Sequence, residues 1–482
     1  MLKKLLLTAL VVVCCSVVWG KTIILYHTSD VHGFFYPQQK VGGYASLAAV
    51  LKKEKNPFLL LDSGDFANGT IETKKTKGMS AVELMNGVGY DAATVGNHEF
   101  DFKDDGFAPL LKKANFAVLA ANMREKASGK IPSFLKEYQV FQVGDAKVAV
   151  IGLANRHPTN PTKLYTFTKP LKALDNALKK AEQEKPDAVV VLVHDSLADY
   201  KNGILDYMGK IADKFQGRVH VVLGGHAHRI FQNEHIKDTL YVESGRYLKA
   251  VSKITLETND ETGKILFSFS ELIPLEIEKT GEDAKIAALA ASLREPGADE
   301  VIGHAGETLS KRPVKEGEKD SPLDDWISDT CRAYTQTDIF IHNTGGTRIA
   351  IEKGDVTRRT LIDLFPFEDK MVRMKVTGRT LKKFIREGLV PWNKYVYSGL
   401  QISYSVNKKG RVKDLHVLLN GRPLENQAEY VIAANSYVAK NNAFAKATDR
   451  QTVGTQSVRG LIEEAFANGV VFPPQTGRIL QR

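Results

Sequence analysis

Short apolar runs that stop abruptly at polar, metal-compatible tips recur along the first half of this chain, and that repetition constrains the fold more than any other feature. Thr22 to Tyr26 leads into HTSDVHG, His27 to Gly33, and Phe58 to Leu61 leads into DSGD, Asp62 to Asp65. Ala92 to Val95 leads into GNHEFDF, Gly96 to Phe102. Ala188 to Val193 meets His194 and Asp195, and Val219 to Leu223 meets GGHAH, Gly224 to His228. Stretches with helical spacing lie between them at Tyr44 to Lys53, Met79 to Val88 and Leu171 to Glu184. Alternation of this kind predicts an α/β domain of layered sheets, in which ligands collect at the strand ends. Five polar tips would then face one place.

A chain of 482 residues is too long for one comfortable core, so more than one domain is expected. Beyond the tips, Thr239 to Leu275 reads as a closing group of antiparallel strands with a turn at Asn259 to Gly263. Residues 280 to 296 have helical spacing and end at Pro296 and Gly297, a candidate interdomain helix and hinge. The expected partition is a signal segment over 1–20, a catalytic domain over 21–279, a linker over 280–300 and a second domain over 301–482. In the last of these the pattern predicts a helix over Leu323 to Ala333, a strand over Asp338 to His342 ending at NTGG, and a strand over Met371 to Val376. A helix over Leu381 to Leu389, strand pairs across Leu400 to Leu419 and a final helix near Val458 to Ala467 complete it.

Lys3 and Lys4 precede an apolar run from Leu5 to Val18, which fits a cleaved export signal and is short for a bilayer span. Val18 and Gly20 suit the cleavage site, giving a mature start near Lys21. Two of the three cysteines, Cys14 and Cys15, fall in the removed part, leaving Cys331 without an internal disulfide partner. The formal charge of +10 becomes +8 once Lys3 and Lys4 leave, a bias that favours anionic small molecules. No arginine-rich run with interleaved aromatics argues for a nucleic-acid partner, and no later stretch is apolar enough to span a membrane.

The tips carry a consistent chemistry. Asp30 and His32, two apart on one turn, offer a carboxylate and an imidazole to the same cation. Asp65 has two oxygens and is suited to bridging two cations; Asn97 adds a neutral oxygen, and His194, His226 and His228 add imidazoles. A mixed nitrogen and oxygen set suits Mn, Zn, Co or Fe better than Ca or Mg. Two such cations would clamp a phosphoryl group, acidify water and offset transition-state charge. His98, if not itself a ligand, is placed to hydrogen-bond the phosphoryl or leaving oxygen, with Asp101 orienting its ring.

In order along the chain, DVHG, GD, GNHEFD, a histidine after an apolar strand, and GGHAH resemble the metallophosphoesterase motifs of the 5′-nucleotidase family of exported two-domain enzymes, relatives of UDP-sugar hydrolases and 2′,3′-cyclic phosphodiesterases. The resemblance continues into the second domain through Gly345, Gly346 and Arg348 and then Pro366 and Phe367. It implies an αββα metallophosphoesterase sandwich followed by an α/β substrate domain. It also implies Asp30, His32, Asp65 and His228 around one cation, and Asp65, Asn97, His194 and His226 around the other. His98 and Asp101 match the family's catalytic pair, Arg348 a phosphate-binding arginine, and Phe367 and Tyr437 its two base-stacking aromatics. The chain departs from the pattern at Asn441, Asn442 and Ala443, at Asp324 and Asp325, and at Asp369. The expected function is hydrolysis of a nucleotide phosphomonoester outside the cytoplasm. Cyclic-nucleotide or nucleotide-sugar hydrolysis is the alternative, and a non-catalytic metal-containing binding protein a further one.

Overall fold

The computed structural model describes residues 20–36, 42–198, 207–259, 262–390 and 393–482. The expected signal segment lies, apart from Gly20, outside the described residues. By internal packing the chain forms two compact units: one runs to Ala67 and resumes over Ala81–Ala290, and the other joins Asn68–Ser80 to Ala291–Arg482.

The first unit is built on two six-stranded sheets. In one, Thr22–Thr28, Phe58–Asp62, Ala92–Thr94 and Ala117–Leu119 run parallel, and the antiparallel hairpin of Ala250–Thr258 and Ile265–Pro274 closes the edge. In the other, Ala146–Leu153, Ala188–Val193, Val221–Leu223 and Thr239–Ser244 are parallel, with Tyr138–Val143 and Ile230–Ile236 antiparallel at the edges. The unbroken apolar runs follow from burial on both faces. Ala188, Val190 and Leu192 enter the core between the sheets, while Val189, Val191 and Val193 meet the covering helices. One of those helices, Pro170–Ala181, buries Ala173, Leu174, Ala177, Leu178 and Ala181 along a single stripe. The result is a helix, sheet, sheet, helix sandwich, the layered α/β domain that the alternation predicts and the αββα form that the family resemblance implies.

Two expectations need correction. Thr239–Ser244 does not join an antiparallel closing group; it lies parallel to Val221–Leu223 in the second sheet, and all six of its residues are buried. The helix expected over residues 280 to 296 is shorter, Ala284–Ser292, and a separate helical turn, Ile277–Thr280, precedes it and ends at Gly281, whose φ is 72°.

The second unit holds sheets of five, four and three strands. Its helix Pro322–Thr335 starts where Ser321 caps the Asp324 N–H at 3.2 Å and Pro322 fills the first turn. Asn68–Ser80 groups here rather than with its sequence neighbours because Glu72, fully buried, pairs with the Arg359 guanidinium and accepts the Glu295 N–H at 3.2 Å.

Buried Asp325 lies 3.6 Å from Arg478 Nε. Burial, with Asp320 and Asp329 adding to it against the pull of Arg478, pushes this carboxyl up to about 9. The folded state therefore keeps a proton that the unfolded chain releases near the ordinary carboxylate value, and stability from this group is lost as pH rises toward 9. Asp325→Asn is expected to gain stability relative to the parent progressively between about pH 4 and pH 9, measured by urea denaturation at stepped pH; a constant difference would refute the assignment.

Candidate metal centre

Parallel pairing brings the polar tips to one end of the first unit. Asp30 and His32 follow Thr22–Thr28, Asp65 follows Phe58–Asp62, Asn97 and His98 follow Ala92–Thr94, His194 follows Ala188–Val193, and His226 and His228 follow Val221–Leu223. Ligand-capable atoms converge there in three overlapping groups, Asp30 with His32 and His228, His32 with Asp65 and His98, and Asp65 with His194 and His226; within each the atoms lie within 4.8 Å of one another. His194 Nε2 is 3.0 Å from Asp65 Oδ2, His228 Nε2 is 3.5 Å from Asp30 Oδ1, and the Nε2 atoms of His32 and His228 are 3.1 Å apart.

Backbone strain is concentrated in the same residues. Asp30, His32, Asp65, His226 and His228 all have positive φ, between 52° and 76°. Each such non-glycine conformation costs about 1–2 kcal/mol, and strain of this sort gathers where side chains must be aimed.

The donor set fits divalent cations. Asn97 Oδ1 and His194 Nε2 are buried and lack a hydrogen-bond partner among the described residues. His194 Nδ1–H donates to the Ser63 carbonyl at 2.6 Å, so Nε2, beside Asp65, is the ring nitrogen left for a cation that displaces its proton. Burial alone would raise Asp65, but His194, His98 and His32 hold it well below the usual carboxylate range. Asp30 behaves differently: burial pushes it up to about 6, with His194 opposing and Asp65 adding to the rise. For His194 burial acts downward, and Asp65, Asp30 and Glu99 outweigh it.

His98 Nδ1 is 2.7 Å from Asp101 Oδ2, as the sequence pairing anticipates. Asp101 is itself held by the Thr159 hydroxyl, and its carbonyl accepts from Asn160 Nδ2 at 3.0 Å. Sequence reasoning overlooked Thr159 and Asn160, which stand outside every motif. It also overlooked Glu99 inside one. The buried Glu99 carboxylate accepts four backbone N–H groups, from Asp65 at 3.0 Å and Gly96 at 2.7 Å on Oε2, and from Phe66 at 2.9 Å and Ala67 at 3.2 Å on Oε1. It thereby ties the Asp65 loop to the Asn97 loop. Burial, reinforced by Asp65, lifts this carboxyl to about 7. Gly96 is required for the same approach, because a Cβ there would sit 2.1 Å from Asp65 Oδ1.

The remaining candidates lie in the second unit. Gly345 and Gly346 form a 3₁₀ turn after Ile339–Asn343, and a Cβ on Gly346 would come within 3.0 Å of His342 Cε1. The Arg348 guanidinium lies 5.6 Å from the centre of the half-buried Phe367 ring. Tyr437 is 64% exposed, and its N–H donates to Asp369 Oδ1 at 3.2 Å. Asp369 also accepts from the Ser436 hydroxyl and from Asn435 Nδ2, so its carboxylate is largely engaged within its own unit.

Residues 24–229 match the calcineurin-like phosphoesterase family, and residues 301–449 match the 5′-nucleotidase C-terminal domain. The chain belongs to the calcineurin-like phosphoesterases that carry a 5′-nucleotidase C-terminal domain. Similar proteins include the endonuclease YhcR of Bacillus subtilis (strain 168), 27% identical over 80% of this chain but only 33% of its own length, so the chain spans about a third of that relative. The 5′-nucleotidase of Bos taurus is 26% identical, covering 96% of this chain and 91% of the relative. The crystal structure of the 5′-nucleotidase precursor from Thermus thermophilus superposes with a TM-score of 0.83 at 24% identity, over 96% of this chain and 99% of that one, and shows the shared fold. The matched phosphoesterase segment, residues 24–229, contains every candidate metal ligand. No helix among the described residues is long and apolar enough to cross a membrane.

Proposed function

We propose that this phosphoesterase is exported, holds two divalent cations that share Asp65, and removes phosphate from a nucleotide monoester. The observation that carries the reading is the membership of Asp65 in two of the three convergent ligand groups. Asp30, His32 and His228 would complete one site, and Asn97, His194 and His226 the other. Cations bound there supply Lewis acidity toward the phosphoryl oxygens and lower the pKa of water. Asp101 accepts the His98 Nδ1–H and holds the ring, leaving Nε2 toward the phosphoryl or leaving oxygen. Arg348 contributes a guanidinium matched to phosphate, Gly345 and Gly346 let backbone approach it, and Phe367 and Tyr437 contribute ring faces to the base. Export rests on Lys3, Lys4 and the apolar run that follows, with the mature chain starting near Lys21.

Phosphate release from nucleoside monophosphates, 2′,3′-cyclic nucleotides and nucleotide sugars, each with Mn, Zn, Co or Fe(II), tests the reading directly. Monophosphates are expected to be the best substrates, activity to vanish on chelation, and metal to restore it. Arg348→Ala is expected to raise KM by about tenfold, the equivalent of ~1.4 kcal/mol, with kcat little changed. Preference for cyclic nucleotides or nucleotide sugars would replace the substrate assignment, and release from none of them would overturn hydrolysis of these esters.

A further inference from the structure

His27 precedes Asp30 by three residues and touches none of the candidate ligands in the contacts described above, yet it is fully buried and both ring nitrogens are engaged. Nε2 lies 2.9 Å from Ser63 Oγ, and Nδ1 lies 2.7 Å from Ser244 Oγ. The direction of the first bond follows from its neighbour. Ser63 Oγ–H donates to the Leu223 carbonyl at 2.7 Å, so toward His27 the hydroxyl can only accept, and Nε2 must carry the proton. Burial keeps the ring neutral, holding it down to about 3, so Nδ1 is the unprotonated nitrogen facing Ser244 Oγ, whose single hydrogen it shares with the His27 backbone carbonyl at 2.8 Å. Ser244 Oγ is in turn 2.8 Å from Ser252 Oγ, which accepts from Gln232 Nε2 at 2.9 Å.

The network crosses the sandwich. His27 and Ser252 belong to one sheet, Ser244, Leu223 and Gln232 to the other, and Ser63 to the turn between Asp62 and Asp65. Ser63 is the joint, because its backbone carbonyl takes the His194 Nδ1–H at 2.6 Å while its hydroxyl is held by His27 and Leu223. Orientation of His194 Nε2 therefore depends on where Ser63 is pinned, and so does the course of the turn that delivers Asp65.

We infer that His27 is a positioning residue for the metal centre, fixing through Ser63 the tautomer and aim of His194 and the placement of Asp65. It acts without touching substrate or cation. Outer partners of metal-binding histidines typically change affinity by about 10- to 100-fold when removed.

The inference rests on the metal centre proposed above, and calorimetric titration of the metal-stripped full chain with Mn²⁺ tests it independently of turnover. His27→Phe preserves bulk and removes both ring nitrogens; Ser63→Ala removes only the hydroxyl; His27→Gln restores a donor and an acceptor. His27→Phe is expected to weaken Mn²⁺ binding at least tenfold and to broaden the Mn²⁺ paramagnetic resonance spectrum. Ser63→Ala should shift it in the same direction, and His27→Gln should recover part of the loss. If His27→Phe does not fold, the comparison of Ser63→Ala with the parent decides the matter. Parent-like affinity and spectrum in folded His27→Phe, or in Ser63→Ala when it alone is available, would overturn the inference. Failure of the parent itself to bind Mn²⁺ would instead remove the metal-centre reading.

Discussion

Asp65→Asn is expected to lower kcat/KM by about a thousandfold, the equivalent of ~4 kcal/mol of transition-state stabilisation. The side chain keeps its volume but loses its charge and one of its two acceptor oxygens. In the parent, Oδ1 accepts the His98 N–H at 2.8 Å while Oδ2 faces His194 Nε2 at 3.0 Å and His32 Nε2 at 3.8 Å. An amide satisfies at most one of these directions with oxygen, and its NH2 group would confront either a backbone donor or the space where a cation binds. Steady-state kinetics at several Mn²⁺ concentrations, together with metal content by mass spectrometry, provide the check. Full activity in a metal-replete Asp65→Asn protein would dismiss Asp65 as the shared ligand.

Glu99→Gln should be the most damaging substitution that leaves every proposed ligand in place. Each Glu99 oxygen serves two backbone donors, Oε2 those of Asp65 and Gly96, Oε1 those of Phe66 and Ala67. Glutamine can replace only one oxygen. Whichever way the amide turns, two buried N–H groups face a donor, at a cost of about 3 kcal/mol for the pair. Urea denaturation is expected to show that loss, and Mn²⁺ affinity to fall with it because the Asp65 and Asn97 loops are no longer tied together. A variant with parent-like stability would mean that Glu99 is not the clamp described.

Much of the centre is legible in the chain. Apolar runs mark the buried strands because parallel strands covered on both faces need no alternation, and the polar residues at their ends stand out against them. His98 and Asp101 are readable as a pair because they stand three positions apart in one short motif. Glu99 is different. Its identity is plain within GNHEFDF, but nothing local says that it accepts N–H groups from a loop more than thirty residues earlier. Thr159 and Asn160 carry no signal at all, since short polar residues after a strand are ordinary loop composition. His27 sits in the first motif, whereas its partner Ser244 is 217 residues away.

The chain by itself determined which atoms are available for chemistry: an acid with two oxygens, one amide oxygen and a series of imidazoles, each placed where a strand stops. Those properties are covalent and travel with the residue. Tertiary structure decided which of them meet, which ring nitrogen of His194 faces Asp65, and that residues 68–80 pack with the second unit. Each depends on register and on hydrogen bonds between distant segments, and a register shift of one residue would reverse the side-chain faces without changing a single local preference.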